Sequence, residues 1–531
     1  MTEHRDRLCV KVPLCCIAVV SMSCGLSAAE PPADLILHHG RIVTVDAQFT
    51  IAEALAVRGD RIVAVGANDN VLTFAGADTT VIDLAGKMVV PGLMDSHVHP
   101  AGAAVYEFDH PIPPMETIAD VLAYVAARAD VLDDGQWIVI QQVFVTRLRD
   151  QRFPTRRELD AAAPNNPVVF RTGPDAAVNS LALQLSGIDE NFQIPDGEAG
   201  QIERDPQTGE LTGMIRSATR FIKQEPSDRK PTFDEQRAQL QTLLADYNSV
   251  GITTISDRGA SQQDLALYES LKASGDLTCR TFVCRMVDPN RPWDEVKQEI
   301  LEAAQHPAHQ YDSLLWLRGI KSFLDGGMLT GSAYMQQPWG VSRIYSITDP
   351  EYRGVRQIDA ERLYETARLC LENDLQFTAH SVGDGAVHAL IEAYRQIDEH
   401  DFPVKPHRPC ITHCNFMSAE AIDEMAQRGI VADLQPIWLL QDGRTLRDHF
   451  GDERLTWFQP YHTLFEKGVI VGGGSDHMQR IGSLRSVNPY NPWLGMWIAL
   501  VRRPRGVDGA LHPEQSITRE QALRLYTTSN A

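Results

Sequence analysis

Apolar and β-branched positions in the first part of the chain come in short runs that are interrupted by glycine. Between Asp34 and Val90 the runs cover residues 35–37, 41–45, 54–57, 61–65, 81–84 and 88–90. Short runs bounded by turn-forming residues are typical of β-strands. Residues 30–90 therefore predict the N-terminal part of a small β-sandwich domain.

Beyond Pro91 the pattern changes, because apolar strand-like runs now alternate with stretches of helical periodicity. The candidate strands cover residues 93–97, 252–255, 280–285, 319–323, 376–380, 409–413, 430–434 and 469–473. Such alternation is typical of βαβ units and a parallel sheet. Eight parallel strands predict an α/β fold with a (β/α)8, TIM-like barrel over residues 91–510, and an open doubly wound sheet is the alternative.

The gap between the first and second candidate strands, about residues 100–250, is far too long for a βα loop. It contains strand-like runs at 137–141 and 168–171 and turn-rich stretches such as 205–209. We expect an inserted α/β lobe there, over the strand ends where barrel active sites lie. Residues 511–531 predict a C-terminal helix.

Residues 1–29 have the order of a secretory signal peptide. Basic residues at 5, 7 and 11 precede an apolar stretch, 12–20, and small residues at 27–29 follow it. This order predicts cleavage after Ala28 or Ala29 and export, to the periplasm or outside the cell. A buried helix of the mature protein is the alternative. A lipoprotein at Cys24 is disfavoured, because residues 21–23 match a lipobox poorly.

Charge and cysteine content narrow the range of partners. The formal net charge of −21 disfavours nucleic acid and anionic membrane surfaces, and the 12–20 stretch is too short to span a membrane. We therefore expect a small-molecule substrate, no nucleic acid and no membrane span, and leave a homo-oligomer open. The cysteines beyond the leader fit neither a disulfide framework nor a CxxC zinc pattern.

The first candidate chemistry is a pair of histidines, His97 and His99, at the end of the first barrel strand. On an extended segment, residues two apart point the same way, so both imidazoles can reach one point. Neutral imidazole is a favoured ligand for zinc and neighbouring metals. The HxH pair alone is a weak signal, since two surface histidines can have the same spacing by chance.

Other strand ends strengthen that signal. The fourth, fifth, sixth and eighth candidate strands end at or near Lys321, His380, His413 and Asp476. Each residue has a plainer interpretation, such as a core histidine or a turn aspartate. Because parallel strands of a barrel end at the same mouth, the set together predicts a metal site.

This set, in this order, resembles the amidohydrolase superfamily. The sequence around these residues is similar to the family 3 branch of that superfamily, which contains N-substituted formamide deformylases. The matching segments are 90–99 (VPGLMDSHVH), 178–183 (VNSLAL), 319–326, 380–384 (HSVGD), 474–476 (GSD) and 521–531. The resemblance covers nearly all of the chain after the leader.

The resemblance implies a centre with one or two divalent metals per chain, with zinc as the expected ion. His97 and His99 would hold the more buried ion together with Asp476. His380 and His413 would hold the second ion.

The resemblance also assigns chemistry to two of the ligands. Lys321 would bridge the ions after carboxylation by CO2, and an ordinary salt bridge, for example to Asp325, is the alternative. Asp476 would act as the catalytic general base on a metal-activated water and then pass the proton to the leaving amine.

Two features depart from the pattern of the branch. Its members commonly carry a histidine just before the 178–183 segment, where Pro174 and Asp175 stand here. Asp175 would meet a cationic substrate group or cap a loop. Members also continue past position 531 with glycine-rich strands that complete the small β-domain. We therefore expect that the sequence is truncated, with the remainder of that domain missing; a β-layer with an exposed edge is the alternative.

Five residues in loops after strands are weaker candidates for the substrate pocket: Tyr345, Trp438, Arg444, His477 and Trp493. Packing is the alternative for each. The leading function is hydrolysis of a C–N bond in an amide, with N-substituted formamides as one class. A metal-dependent esterase or lactonase would use the same site. An inactive barrel that serves as a binding protein is the third hypothesis.

Overall fold

The computed structural model describes residues 31–531 except 142, 173–174, 196–199, 217, 226–227 and 346. The predicted signal peptide and Pro174 lie outside the described residues. The chain divides into two compact units, Met1–Val90 and Pro91–Ala531. Within the described residues, no helix combines the length and the apolar character that a membrane crossing requires.

The first unit is built from two small sheets. Its elements are β1 (Leu35–His38), β2 (Arg41–Val43), β3 (Ile51–Ala52), β4 (Ala54–Arg58), β5 (Arg61–Gly66), α1 (Asn68–Leu72), β6 (Thr80–Asp83) and β7 (Met88–Val89). The strand orders are β5-β4-β1-β6 and β3-β2-β7. Ile36, Ala54 and Ala56 form a core with Val71 of α1, so the apolar runs of β1 and β4 are buried, whereas large apolar side chains of β5 and β6 are exposed.

The second unit opens with the first barrel strand and then a long insertion. The elements are β8 (Leu93–Val98), α2 (Pro100–Ala104), α3 (Ile118–Ala129), β9 (Ile138–Gln141), α4 (Arg156–Ala162), β10 (Val168–Thr172), β11 (Asp175–Val178), α5 (Ser180–Ser186), β12 (Gln201–Arg204) and β13 (Leu211–Arg216). The inserted sheet has the order β12-β13-β11-β10-β9. Val168 and Phe170 pack into one apolar cluster and Val169 into another, so both faces of β10 are buried.

The rest of the second unit alternates strands with helices. The elements are α6 (Phe233–Ser249), β14 (Ile252–Ala260), α7 (Gln262–Ser274), β15 (Arg280–Met286), α8 (Trp293–Gln305), β16 (Leu315–Phe323), α9 (Ala360–Glu372), β17 (Gln376–Ser381), α10 (Asp384–His400), β18 (Cys410–His413), α11 (Ala419–Arg428), β19 (Val431–Leu434), α12 (Ile437–Arg454), α13 (Tyr461–Glu466), β20 (Val471–Gly473), α14 (Pro492–Val501) and α15 (Arg519–Leu525).

Eight strands form one parallel sheet in the order β8-β14-β15-β16-β17-β18-β19-β20. Just beyond the last strand, a parallel bridge joins His477 to Val98 of the first strand, and the Asp476 N–H donates to the His97 carbonyl at 2.8 Å. The sheet therefore closes on itself. The predicted (β/α)8 barrel is confirmed, and the open doubly wound sheet is wrong.

Local sequence explains where several helices begin. Helices α3, α4, α6, α7 and α15 start at a Thr or Ser whose hydroxyl accepts from the third helical N–H. The side chain of that third residue, an Asp, Glu or Gln, accepts in return from the N-cap N–H. This capping box satisfies backbone donors that a helix start leaves open.

A close backbone approach fixes the loop that follows β17. Gly383 precedes α10, and a Cβ at this position would lie 2.0 Å from the carbonyl oxygen of Tyr334. Its N–H donates to the buried Asp325 carboxylate at 2.9 Å. The segment after β16 and the segment after β17 are therefore held together where only glycine fits.

We expect Gly383→Ala to lower the free energy of unfolding by about 2 kcal/mol or more, because the clash is with backbone. The matched control is Gly102→Ala in α2, where an added Cβ meets nothing within 4 Å. That change should be neutral or slightly stabilising, since alanine favours helix. Chemical denaturation of both variants checks this, and equal stability of the two would contradict the packing argument.

Candidate metal centre

The first and last strands of the barrel bring three predicted ligands together. His97 lies near the end of β8, His99 just beyond it, and Asp476 just beyond β20. The two Nε2 atoms are 3.3 Å apart, and they lie 3.5 and 3.4 Å from Asp476 Oδ1. His97 and Asp476 are buried, whereas the His99 side chain is 28% exposed. The triangle therefore lies at the barrel mouth with one side open to the solvent.

This triangle fits a divalent cation. Ligand atoms about 2.0–2.1 Å from a tetrahedral zinc lie about 3.3–3.4 Å from one another. The three observed separations, 3.3, 3.4 and 3.5 Å, match that edge length. Two imidazoles and one carboxylate are also a donor set that zinc and neighbouring metals favour. The residues present would hold such an ion with a position left for water or substrate.

A carboxylate behind His97 directs its free nitrogen to the ion site. His97 Nδ1 lies 3.0 Å from Asp433 Oδ2, so the Nδ1–H donates to Asp433 and the Nε2 lone pair faces Asp476. Burial holds the pKa of His97 well below its ordinary value, which keeps the ring neutral. Sequence reasoning missed Asp433. The signal that could have found it is a charged residue inside the apolar run of β19, because a buried charge needs a partner.

The second predicted ligand set lies beside the first. His413, at the end of β18, has its ring centroid 4.9 Å from that of His97 and 4.4 Å from that of His380. Burial is the main cause that lowers the pKa of His380 to about 3, so that ring is also neutral near pH 7. The structure therefore brings all four predicted histidines into one cluster.

Lys321 is fully enclosed near this cluster. Burial lowers its pKa to about 8, against the opposing effect of Asp476 and Asp433. An amine with a lowered pKa has more of the neutral form that can react with CO2. The alternative partner, Asp325, accepts instead from the backbone N–H groups of Tyr334, Val382 and Gly383. No ion pair between Lys321 and Asp325 occurs within the described part of the chain.

Two predicted ligands have left-handed backbone conformations. His413 has a φ of 81° and Asp476 a φ of 55°, and neither is glycine. Such residues cost about 1–3 kcal/mol each and persist where the surroundings fix them. The conformations lie at the strand ends, where they turn the chain across the barrel mouth.

Four of the weaker pocket candidates separate into two pairs. Trp438 stacks on His413 with ring centroids 4.8 Å apart, and Tyr345 belongs to the same apolar cluster. Trp438 Nε1 and the Tyr345 hydroxyl are buried and have no hydrogen-bond partner among the described residues. Trp438 therefore lies against a predicted metal ligand, whereas Tyr345 packs on Trp339 and His449 within the cluster.

The other pair is already occupied by protein partners. Both ring nitrogens of His477 are engaged, by the Tyr247 hydroxyl at 2.7 Å and by the carbonyls of Gln479 and Arg480. Asp175 lies in β11 and pairs with Arg216 at 2.7 Å. His477 therefore supports the loop after β20, and Asp175 binds a cation of the inserted lobe. The pocket role of His477 and the two roles considered for Asp175 stay predictions, although the printed partners of both side chains belong to the protein itself.

Known proteins resemble this chain over nearly all of its length. A model of the amidohydrolase family matches residues 80–531. The chain is 27% identical to the N-substituted formamide deformylase of Arthrobacter pascens, over 94% of this chain and 89% of that protein. It is 25% identical to the putative amidohydrolase YtcJ of Bacillus subtilis, over 93% of this chain and 89% of that protein.

A solved structure shows the same fold. An uncharacterized metal-dependent hydrolase from Pyrococcus horikoshii superposes with a TM-score of 0.65 at 19% sequence identity. The match covers 94% of this chain and 92% of the other. The barrel and its accompanying elements are therefore a known architecture.

We expect His99→Ala to weaken zinc binding by more than about 100-fold, because one of three protein ligands is lost. The matched control is His388→Ala, whose ring contacts the Ser418 hydroxyl and belongs to none of the candidate metal groups among the described residues. Zinc content after dialysis against a graded series of zinc buffers measures both. Equal zinc affinity of the two variants would contradict the assignment of His99.

Proposed function

We propose that this chain, which belongs to the amidohydrolase family, is a metal-dependent hydrolase that cleaves the carbon–nitrogen bond of an amide. N-substituted formamides are the first class to consider, because the deformylase relative matches nearly the whole chain. The observation that carries the proposal is the triangle of His97, His99 and Asp476 at the barrel mouth. The proposed reaction requires a metal ion and an acid–base group. This triangle offers ligands for the ion and, in Asp476, a carboxylate that can accept a proton.

A bound divalent ion would lower the pKa of water to about 7 and polarise the scissile carbonyl. Asp476 would take the proton of the attacking water on a carboxylate oxygen and deliver it to the leaving nitrogen. Its backbone is held on both sides, since its N–H donates to the His97 carbonyl and its own carbonyl accepts from Asn488 at 2.8 Å. Asp476 therefore keeps its position while the proton moves.

The second ligand set supports a site for up to two ions. His380 and His413 would hold a second ion, and Lys321, once carboxylated, would supply an oxygen to both. Lys321 supports this role because it is enclosed and its pKa is lowered. We propose zinc as the ion, since neutral imidazole and carboxylate donors suit it.

The surroundings of the site support an uncharged substrate. Apolar residues follow the ends of four neighbouring strands and form one cluster: Met328, Leu329, Val382, Phe416, Ile437 and Trp438. Phe144 of the insertion belongs to the same cluster. Because Trp438 of this cluster stacks on His413, apolar packing adjoins the second ligand set. Apolar surroundings exclude water and strengthen the electrostatic effect of a nearby cation.

A substrate panel tests the proposal. The zinc-loaded enzyme should hydrolyse at least one N-alkyl or N-aryl amide, N-substituted formamides included, faster than the ester or lactone of matching shape. Release of amine and acid measures the rate. Turnover of esters or lactones alone would move the enzyme to that class, and no turnover of any carbonyl substrate by zinc-loaded protein would favour the binding-protein hypothesis.

We expect Asp476→Asn to reduce kcat by about 100-fold or more, because the general base is lost while a neutral oxygen ligand stays in place. His97 and His99 should keep much of the zinc bound. Zinc content and kcat are measured on the same sample, which separates loss of the base from loss of the ion. Near-normal kcat with zinc bound would refute the role of Asp476.

A further inference from the structure

The short segment that ends β19 contacts both ligand sets from behind. Asp433 lies in β19, and Gln435 follows two residues later with its side chain fully buried. Asp433 Oδ2 lies 3.0 Å from His97 Nδ1, and Gln435 Oε1 lies 2.7 Å from His413 Nδ1. Asp433 and Gln435 therefore each hold one histidine, and the two histidines belong to different predicted sets.

Asp433 is surrounded by donors. Its Oδ1 accepts from the Ser96 hydroxyl at 2.6 Å and from Gln435 Nε2 at 3.2 Å. The Arg258 guanidinium is 3.8 Å from Oδ2, and its Nε donates to the Ser96 carbonyl. Because a carboxylate accepts and does not donate, each of these hydrogen-bond partners must direct its hydrogen atom toward an Asp433 oxygen.

The acceptor role of Asp433 determines which atom donates and which accepts in each of the linked hydrogen bonds. Gln435 has to present its amide NH2 to Asp433, so its Oε1 is left for His413. An oxygen acceptor requires His413 to carry its proton on Nδ1, as Asp433 requires of His97. Both rings then expose an unprotonated Nε2, which is the atom that binds a metal.

We infer that Asp433 and Gln435 are positioning residues that fix the metal-binding tautomer of one histidine in each ligand set. The inference rests on the proposed metal function. It adds that the two sets are oriented by one segment, so that a change at Asp433 disturbs both, whereas a change at Gln435 disturbs His413 first. An asparagine at 433 would place its NH2 donor against one of the existing donors, so that hydrogen bond would be lost.

The experiment is the rate of zinc release from the zinc-loaded enzyme to a chromogenic chelator. Asp433→Asn should release zinc about 10- to 100-fold faster than the wild type. Gln435→Leu should also release zinc faster, but by a smaller factor, because the His97–Asp433 contact stays. The matched control is Asp442→Asn, an equally buried carboxylate that pairs with Arg147 instead of a histidine; its release rate should be that of the wild type.

Two further measurements separate positioning from general damage. Ser96→Ala removes one hydrogen bond to Asp433 without changing charge, and it should speed zinc release a few-fold even if Asp433→Asn fails to fold. In 15N-histidine spectra of the metal-free protein, His97 and His413 should carry the proton on Nδ1, and Asp433→Asn should move it to Nε2 in His97.

The outcomes are distinct. A wild-type enzyme that holds no zinc would refute the proposed function itself. Zinc-loaded wild type with unchanged release in folded Asp433→Asn, or in Ser96→Ala, would overturn the inference and leave the function standing. A wild-type rate in Gln435→Leu would remove Gln435 from it. Equal acceleration in Asp442→Asn would show that any buried charge has the same effect, which also overturns it.

Discussion

The seam that joins the last barrel strand to the first is the contact on which the candidate site depends. Asp95 accepts from the N–H groups of His97 and Ser475 at 3.1 and 3.0 Å, so one carboxylate ties the ends of β8 and β20. Burial raises the pKa of Asp95 to about 7, which shows how costly its charge is there. Without this seam Asp476 would have no fixed distance to His97 and His99, and the ligands would be separate residues on separate loops.

Closure brings an electrostatic cost that a cation would offset. Neutral imidazoles, the carboxyl groups of Asp433 and Asp476, and Lys321 are among the groups enclosed at one mouth, and unpaired buried charge is destabilising. Arg258 neutralises Asp433 only in part, at 3.8 Å. Asp476 faces two imidazole nitrogens and has no arginine or lysine within ion-pair distance among the described residues. A divalent ion at the triangle would supply the missing positive charge where the carboxylate needs it.

Sequence patterns predicted the barrel and the convergence of its ligands, because both follow from local patterns along the chain and from the geometry of parallel strands. Strand runs have recognisable lengths and boundaries, and parallel strands must present their ends at one mouth. Asp433 and Gln435 were missed for different reasons: Asp433 gave a signal as a charged residue inside the apolar run of β19, whereas Gln435 follows that strand without any spacing to recognise. The position of His477 after a strand also did not show that the hydroxyl of Tyr247, from α6, contacts its ring. Such pairings depend on tertiary packing.

The central claim is that His97, His99 and Asp476 bind one metal ion, and anomalous X-ray diffraction at the zinc absorption edge tests it directly. Crystals of the zinc-loaded protein should show a peak about 2.0–2.2 Å from His97 Nε2, His99 Nε2 and an Asp476 carboxylate oxygen. A folded, zinc-loaded protein whose anomalous peaks all lie beyond bonding distance of these three atoms would contradict the account.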